Sequence, residues 1–590
     1  MSWTDTDSVW DMFLREVKRQ NRNGTQVSYL QLVHNDWDPA ARTSRTKILY
    51  SFGRTDRVDP SAIERLIVSL SRLLEPAAAL RATSGSDLSF LSSRPLGGTG
   101  VLDGLWRRLG IDTVMTGLLS KRRGSAPLER VLFALVANRA LAPSSKLAAA
   151  DWISNDVHID GLPQVSDDVC YRSMDWLHGV REQLEKEVFH QVANLLNLEV
   201  DLLFFDTTST YFELDDADEP VARDERGHPL PTEDDTATED GAATDTGGSE
   251  GTGVGFRTWG KSKDSRDDLP QIVIGMAVTR EGIPVRVWCW PGNTSDSTLI
   301  RQVKDDMRDW TLSRIVWVAD RGFSSAQNRR YLRRGDHHYI IGEKLRSSSA
   351  EITAALSRQG RYTTITDNMR VKEVRISDTE RFVICHNPEA ADRDADVREQ
   401  LLAQLRELID GSDGLTTMKR GELAGRISTK PGLHRFLCTT PAGKLRIDTV
   451  KIKTEANLDG KYLLRCSDPA LSAADIAVGY KQLLEVERGW RDMKSIIDLR
   501  PVYHRLEDRI RAHVVLCWLA LLLIRVAETT TGQTWPTMRR DLDRLHAVTF
   551  TGSSGTFRQT TDPTKPQLDL YARLDLPLPK KIIEIAPSSP

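Results

Sequence analysis

Cysteine is scarce in this 590-residue chain: six residues (Cys170, Cys289, Cys385, Cys438, Cys466 and Cys517), with no Cys-x-x-Cys pair among them. That spacing argues against a zinc site and a disulfide framework, and it suits a reducing compartment. Long apolar runs are missing too. The longest, residues 514–524, is eleven residues flanked by Arg511, His513 and Arg525. Eleven residues cannot cross a bilayer, so this run predicts a buried helix and no membrane partner. The first residues, Met1-Ser2-Trp3-Thr4-Asp5, lack a basic segment followed by an apolar one. No signal peptide is therefore expected, and the expected location is the cytoplasm.

The chain also lacks a strong net charge, at −3. The even balance conceals an uneven distribution. Residues 213–250 hold 14 acidic and 2 basic residues, so that stretch carries −12 and the remainder +9. A basic excess of that size is compatible with a nucleic-acid partner.

What is present is several domains' worth of chain, 39% hydrophobic and 28% charged. Residues 1–95 predict a small α+β domain, with strands over 27–33 and 46–52 and a helix over 63–74. Nine Lys/Arg against four Asp/Glu between Arg15 and Arg57 make it a candidate DNA-contacting module. Residues 96–200 predict a helical domain, and the glycines at 98, 100 and 104 predict a turn. Residues 201–358 predict a mixed α/β core of strands and helices. Inside that core, 213–253 is acidic and poor in apolar residues, which predicts a disordered loop. Residues 359–467 predict a β-rich insertion, 468–530 returning helices, and 531–590 a loosely ordered tail.

Three acidic residues carry the chemical reading. Asp206 ends the apolar run Leu202-Leu203-Phe204-Phe205, and Asp320 ends Ile315-Val316-Trp317-Val318-Ala319. An anion at the tip of an apolar strand is costly unless a cation partners it, and a divalent metal is such a partner. Glu487 shares a helical stripe with Tyr480, Leu483, Trp490, Lys494 and Ile497, whereas Glu485 falls about 200° away. Glu487 is thus the expected inward carboxylate. The competing readings are an ion pair with Arg491 for Glu487 and a helix N-cap for Asp320.

Asp206-Thr207-Thr208, Asp320-Arg321-Gly322-Phe323 and Tyr480-x2-Leu483-x3-Glu487-x6-Lys494 together resemble the three catalytic motifs of DDE-type bacterial insertion-sequence transposases. The likeness is to the branch with a Tyr-x2-Arg-x3-Glu-x6-Lys signature and a β-rich insertion between the second Asp and the Glu. Gly260-Lys261-Ser262-Lys263-Asp264, Asp268-Leu269-Pro270-Gln271 and Arg500-Pro501-Val502-Tyr503-His504 also resemble stretches of that family. Leu483 departs from it, standing where the signature has Arg.

The resemblance implies an RNase H-like core in which Asp206, Asp320 and Glu487 bind two Mg2+ ions, with Mn2+ as a substitute. It implies cleavage at the element's terminal inverted repeats and strand transfer into target DNA, by a protein that is a homodimer on DNA and nucleoid-associated. DNA-contacting candidates are Tyr480, Lys494, Arg491, Lys261, Lys263, Arg266 and Arg321, with His504, Arg505, Arg509, Arg511 and His513 as further ones. The alternatives are an RNase H-like nuclease that only hydrolyses, an inactive DNA-binding derivative, and a tyrosine recombinase built on His178, Arg181 and Tyr211.

Overall fold

The computed structural model describes residues 12–20, 26–38, 43–58, 89–120, 128–198, 200–230, 253–308, 310, 314–346, 349–376, 381–500, 502, 504–552 and 555–587. The chain divides into two compact units, one formed by residues 1–93, 547–562 and 579–590 and the other by 94–546 and 563–578.

In the first unit, strands β1 (Met12–Gln20), β2 (Gln26–Asp38) and β3 (Thr43–Arg54) form an antiparallel meander. The helix expected over 63–74 lies outside the described residues. Strand β4 (Ser89–Pro95) belongs to a second sheet, described with its partners below.

The second unit opens with five helices: α1 (Gly97–Arg108), α2 (Ile111–Leu119), α3 (Leu128–Leu141), α4 (Lys146–Asn155) and α5 (Asp167–Leu196). The turn expected at the glycines is instead the body of α1. Packing overrides propensity here: a Cβ at Gly98 would collide with the Leu141 side chain of α3, so close helix contact requires glycine.

The central sheet follows. Strands β5 (Leu202–Tyr211), β6 (Gln271–Val278) and β7 (Pro284–Pro291) are antiparallel neighbours. Helix α6 (Asp296–Asp306) then leads to β8 (Val316–Ala319), which pairs parallel with β5 on its other side. Helix α7 (Ala326–Leu332) leads to β9 (His338–Glu343), parallel to β8. The order β7-β6-β5-β8-β9, with three antiparallel strands followed by two parallel ones, is the RNase H-like arrangement. β5 is apolar on both sides because both sides are covered. Leu202 and Phe204 point into the core beneath the later helices, while Leu203 and Phe205 point into a separate core with Leu299, Ile300 and Val303 of α6.

Residues 213–230 of the acidic stretch are not disordered. Asp218 bonds the Arg257 guanidinium, and Arg223 bonds Glu507 at 2.9 Å. Specific ion pairs hold this part against the core, which a reading of composition misses. Residues 231–252 lie outside the described residues.

The insertion is less β-rich than expected. Helix α8 (Ala350–Ser357) precedes β10 (Thr363–Thr366), β11 (Met369–Arg375) and β12 (Arg381–His386). Helices α9 (Pro388–Ile409), α10 (Thr417–Ser428) and α11 (Pro431–His434) pack with the short strands β13 (Leu437–Thr439) and β14 (Leu445–Ile447). Their shared core contains Leu402, Leu405, Leu423, Ile427 and Phe436. Helix α12 (Thr449–Ala456) follows, with Asp448 capping its N-terminus. Strand β15 (Lys461–Cys466) pairs with both β12 and β9. The insertion therefore extends the central sheet to nine strands among the described residues.

Helices α13 (Ala473–Lys481) and α14 (Leu484–Ser495) cover the sheet, followed by α15 (Glu507–Thr531). By length and composition α15 could cross a membrane, yet its apolar window is entirely buried inside the protein. Burial of each large aliphatic side chain there contributes about 1.5–3 kcal/mol, which makes α15 the spine of the unit. The terminal segment is well formed rather than loose: α16 (Trp535–Leu542), β16 (His546–Gly552), β17 (Gly555–Thr560), α17 (Lys565–Arg573) and β18 (Ile582–Pro587). Its Pro and Thr residues act as helix starts: Thr564 makes a capping box, with Pro566 in the first turn. Strands β16, β17 and β18 form a sheet with β4 in the order β18-β17-β16-β4.

Candidate active site

Strand register brings the two aspartates together. β5 and β8 pair from Leu202 with Val316 through Phe205 with Ala319, so the next residues, Asp206 and Asp320, lie side by side on strands about 4.8 Å apart. Side chains alternate along a strand. Asp206 therefore shares the face of Phe204, and Asp320 that of Val318. Both of those residues belong to the core packed under α13 and α14.

Burial pushes the Asp206 carboxyl up to about 6. Asp320 and Asp296 push in the same direction, while Lys263 and the Thr207 backbone oppose them. The Lys263 ammonium stands 3.9 Å from Asp206 and 3.3 Å from Asp296, and it donates to the Thr207 carbonyl at 2.7 Å. Thr207 also donates its hydroxyl to Asp296 at 2.7 Å. Asp296 is thus a fourth carboxylate at this strand end. In the sequence it reads only as the start of α6.

Asp320 occupies the N-cap position of the 3-10 turn Arg321–Phe323 but makes no side-chain capping bond. The Tyr480 hydroxyl instead donates to it at 3.4 Å. Tyr480 stacks on Tyr462, with ring centroids 6.2 Å apart. Gly342 of β9 gives the hydroxyl room, because a Cβ there would collide with it. Burial and the nearby Asp320 both raise the Tyr480 phenol's pKa, so it stays a donor.

The expected continuous helix through Tyr480 and Glu487 is broken at Gln482-Leu483, between α13 and α14. The buried residues of α14 are Val486, Gly489, Trp490 and Met493. Glu487 therefore lies at the edge of the buried stripe and is exposed. Glu485, expected in solvent, is partly covered and stands 3.9 Å from Arg488. Glu487 forms no ion pair with Arg491 among the described residues. α14 nevertheless crosses the strand next to Asp206: a Cβ at Gly489 would meet Met276, the residue paired with Asp206 across β5 and β6. Leu483 is 8% exposed and part of the core, so no DNA contact arises there.

The remaining candidates separate by partner. Lys494 donates to Asp264 at 3.0 Å; burial lowers its pKa and Asp264 raises it again. Arg266 bonds Asp268 at 2.8 Å and lies over the Tyr211 ring. Lys261, Arg321 and Arg491 are exposed and form no ion pair among the described residues. His504, Arg511 and His513 are buried, Arg509 pairs with Asp175 at 2.8 Å, and Arg505 is exposed. Tyr211 ends β5 beneath Arg266 and Arg500, which does not suit a helical recombinase nucleophile.

No group of three or more His, Cys, Asp or Glu side chains in metal-holding geometry occurs among the described residues. The donor chemistry still fits a hard divalent cation: adjacent strand-end carboxylates, one of them pushed towards protonation by burial and then by its anionic neighbours, with a lysine partly offsetting the charge.

Comparison with known proteins identifies the domain. The family described as Transposase DDE domain matches residues 243–523. No curated protein matches the chain in sequence. Among solved structures, a piggyBac transposase synaptic complex with hairpin DNA, determined by cryo-EM, matches at 12% identity, covering 75% of this chain and 76% of that one with a TM-score of 0.32. DDE transposases use divalent metal ions and act on DNA. The match over residues 243–523 is to a transposase DDE domain and supports a DNA transposase function.

Proposed function

We propose that Asp206, Asp320 and Glu487 form the catalytic carboxylate set, that it holds two Mg2+ ions replaceable by Mn2+, and that the enzyme cuts at element ends and joins them to target DNA. The observation that carries this reading is the parallel register that sets Asp206 beside Asp320 under the helix bearing Glu487. Metal bound there supplies activation of the attacking oxygen and stabilisation of the leaving one.

The protein's own groups do the rest. Asp206 and Asp320 present carboxylate oxygens from rigid strand ends, where little motion blurs their geometry. Tyr480 holds the Asp320 carboxylate in place. Lys263 keeps part of the anionic charge neutralised before substrate arrives. The exposed Lys261, Arg321 and Arg491 are placed to receive DNA phosphates, since none of them has an ion-pair partner among the described residues. Glu487, exposed on α14, would be the third carboxylate of the set. Two copies, one at each terminal inverted repeat, bring the ends together in the cytoplasm at the nucleoid.

The test is cleavage of DNA carrying the element ends, with Mg2+, by the wild-type chain and by Asp206→Ala, Asp320→Ala and Glu487→Ala. Each substitution is expected to abolish cleavage while leaving end binding intact. Cleavage by the Asp206→Ala protein would sink the assignment. Cutting without joining by the wild type would favour the hydrolytic nuclease.

A further inference from the structure

Two consecutive residues, Lys263 and Asp264, engage different sets of partners from one turn. The turn is held to β5, since the Lys263 backbone N–H donates to the Ser209 hydroxyl at 2.9 Å. The Lys263 side chain then bears on Asp206, Asp296 and Thr207. Asp264 takes Lys494 of α14 at 3.0 Å and Arg500, from the loop after α14, at 3.0 Å. All three of these side chains are largely covered, at 18%, 18% and 24% exposure. Arg500 also lies over the Tyr211 ring at the end of β5, 4.9 Å from its centroid.

Helix geometry turns this contact into leverage. Lys494 is seven residues after Glu487, two turns along and within about 20° of the same angular position, roughly 10 Å away on the axis. Whatever fixes the direction of Lys494 also fixes the rotation of α14 and so the direction of Glu487. The opposite side of the helix is anchored separately, by Asp492 to the buried Arg525 of α15 at 2.6 Å.

We infer that the 263–264 turn is a strut between the two halves of the active site, and that Asp264 is a positioning residue which sets Glu487 against Asp206 by holding Lys494 and Arg500. This rests on the three-carboxylate assignment proposed above. Asp264 touches no reacting atom. Its effect passes through the orientation of α14, and a DNA phosphate approaching Lys494 has to compete with it.

The experiment uses the full chain. Mn2+ binding without DNA is followed by loss of the free-ion EPR signal, alongside thermal melting, DNA affinity in EDTA, and cleavage at saturating DNA. Asp264→Asn is expected to weaken Mn2+ binding by about 10-fold, as loss of a supporting partner of a metal site does, and to slow cleavage by a similar factor. DNA affinity in EDTA should hold or rise, because Lys494 and Arg500 are released. The paired exchange Asp264→Lys with Lys494→Glu should recover Mn2+ affinity, which a merely structural loss would not. A folded Asp264→Asn protein with wild-type Mn2+ affinity and cleavage rate overturns the strut. If Asp264→Asn does not fold, the exchange decides: a folded exchanged protein that binds Mn2+ no better than about one-tenth as tightly as wild type also overturns it. Asp206→Ala in the same assay separates the two levels, since Mn2+ binding unchanged by that substitution defeats the carboxylate assignment itself.

Discussion

Tyr480, at the end of α13, donates its hydroxyl to Asp320, the residue after β8, across 3.4 Å. The bond is long, so its contribution is about 1 kcal/mol rather than the larger value of a short bond to a carboxylate. Tyr480→Phe is therefore expected to slow DNA cleavage by about 5-fold while leaving the melting temperature nearly unchanged. A steady-state cleavage assay with parallel melting curves checks this. An unaffected rate would mean that Asp320 is held by its strand alone.

Lys263 is the resident cation at Asp206. Its side chain is more than a third exposed, so solvent screens much of the attraction. Lys263→Met should leave the site more anionic and tighten Mn2+ binding by roughly 3- to 10-fold. Calorimetric titration of both proteins with Mn2+ measures it. Weaker binding in the variant would assign Lys263 to shaping the site rather than balancing its charge.

Arg525 is buried and answers two carboxylates, Asp492 at 2.6 Å and Glu528 at 2.7 Å. Removal of the guanidinium takes the 2.6 Å ion pair from Asp492 and leaves Glu528 with Arg488 at 2.9 Å in a low-dielectric interior. Arg525→Met should destabilise the chain by about 3–5 kcal/mol, read as a lower urea midpoint. Both this loss and the accompanying loosening of α14 should reduce cleavage.

Two buried histidines make the fold sensitive to acid. Burial pushes His504 down to about 3, helped by Lys146, Arg139 and Arg509. Burial also pushes His513 well below its ordinary value, beside Lys146, Arg139 and His504. A histidine whose folded value lies below its unfolded one stabilises the protein above about pH 6.5 and loses that contribution as pH falls towards the folded value. Lys146, buried and lowered to about 7, acts in the same direction over the window between its unfolded value and 7. Melting temperature should therefore fall steadily as pH drops below about 6.5, and His504→Gln with His513→Gln should flatten that slope. A pH series of melting curves on both proteins checks the prediction. A variant slope as steep as wild type would place the acid sensitivity elsewhere.

Local chemistry determined a good deal. Apolar runs such as Leu202-Leu203-Phe204-Phe205 can only be covered strands, and the DDE motifs sit on residues whose types suit a strand end or a helix. The sequence also marked residues 514–524 as a buried helix, because a run that apolar must leave water. Other readings failed where a distant partner outweighs local propensity. A glycine-rich stretch became helix α1 against Leu141, part of an acidic loop was held down by Arg257 and Glu507, and the tail around Thr564 folded.

Periodicity put Glu487 within an unbroken stripe. Only the tertiary structure showed the break at Gln482-Leu483 and the pairing of Lys494 with Asp264, 230 residues away in sequence. A helical wheel describes one helix in isolation. Rotation of that helix against its neighbours is decided by contacts from segments far along the chain, and no spacing rule within the segment contains them.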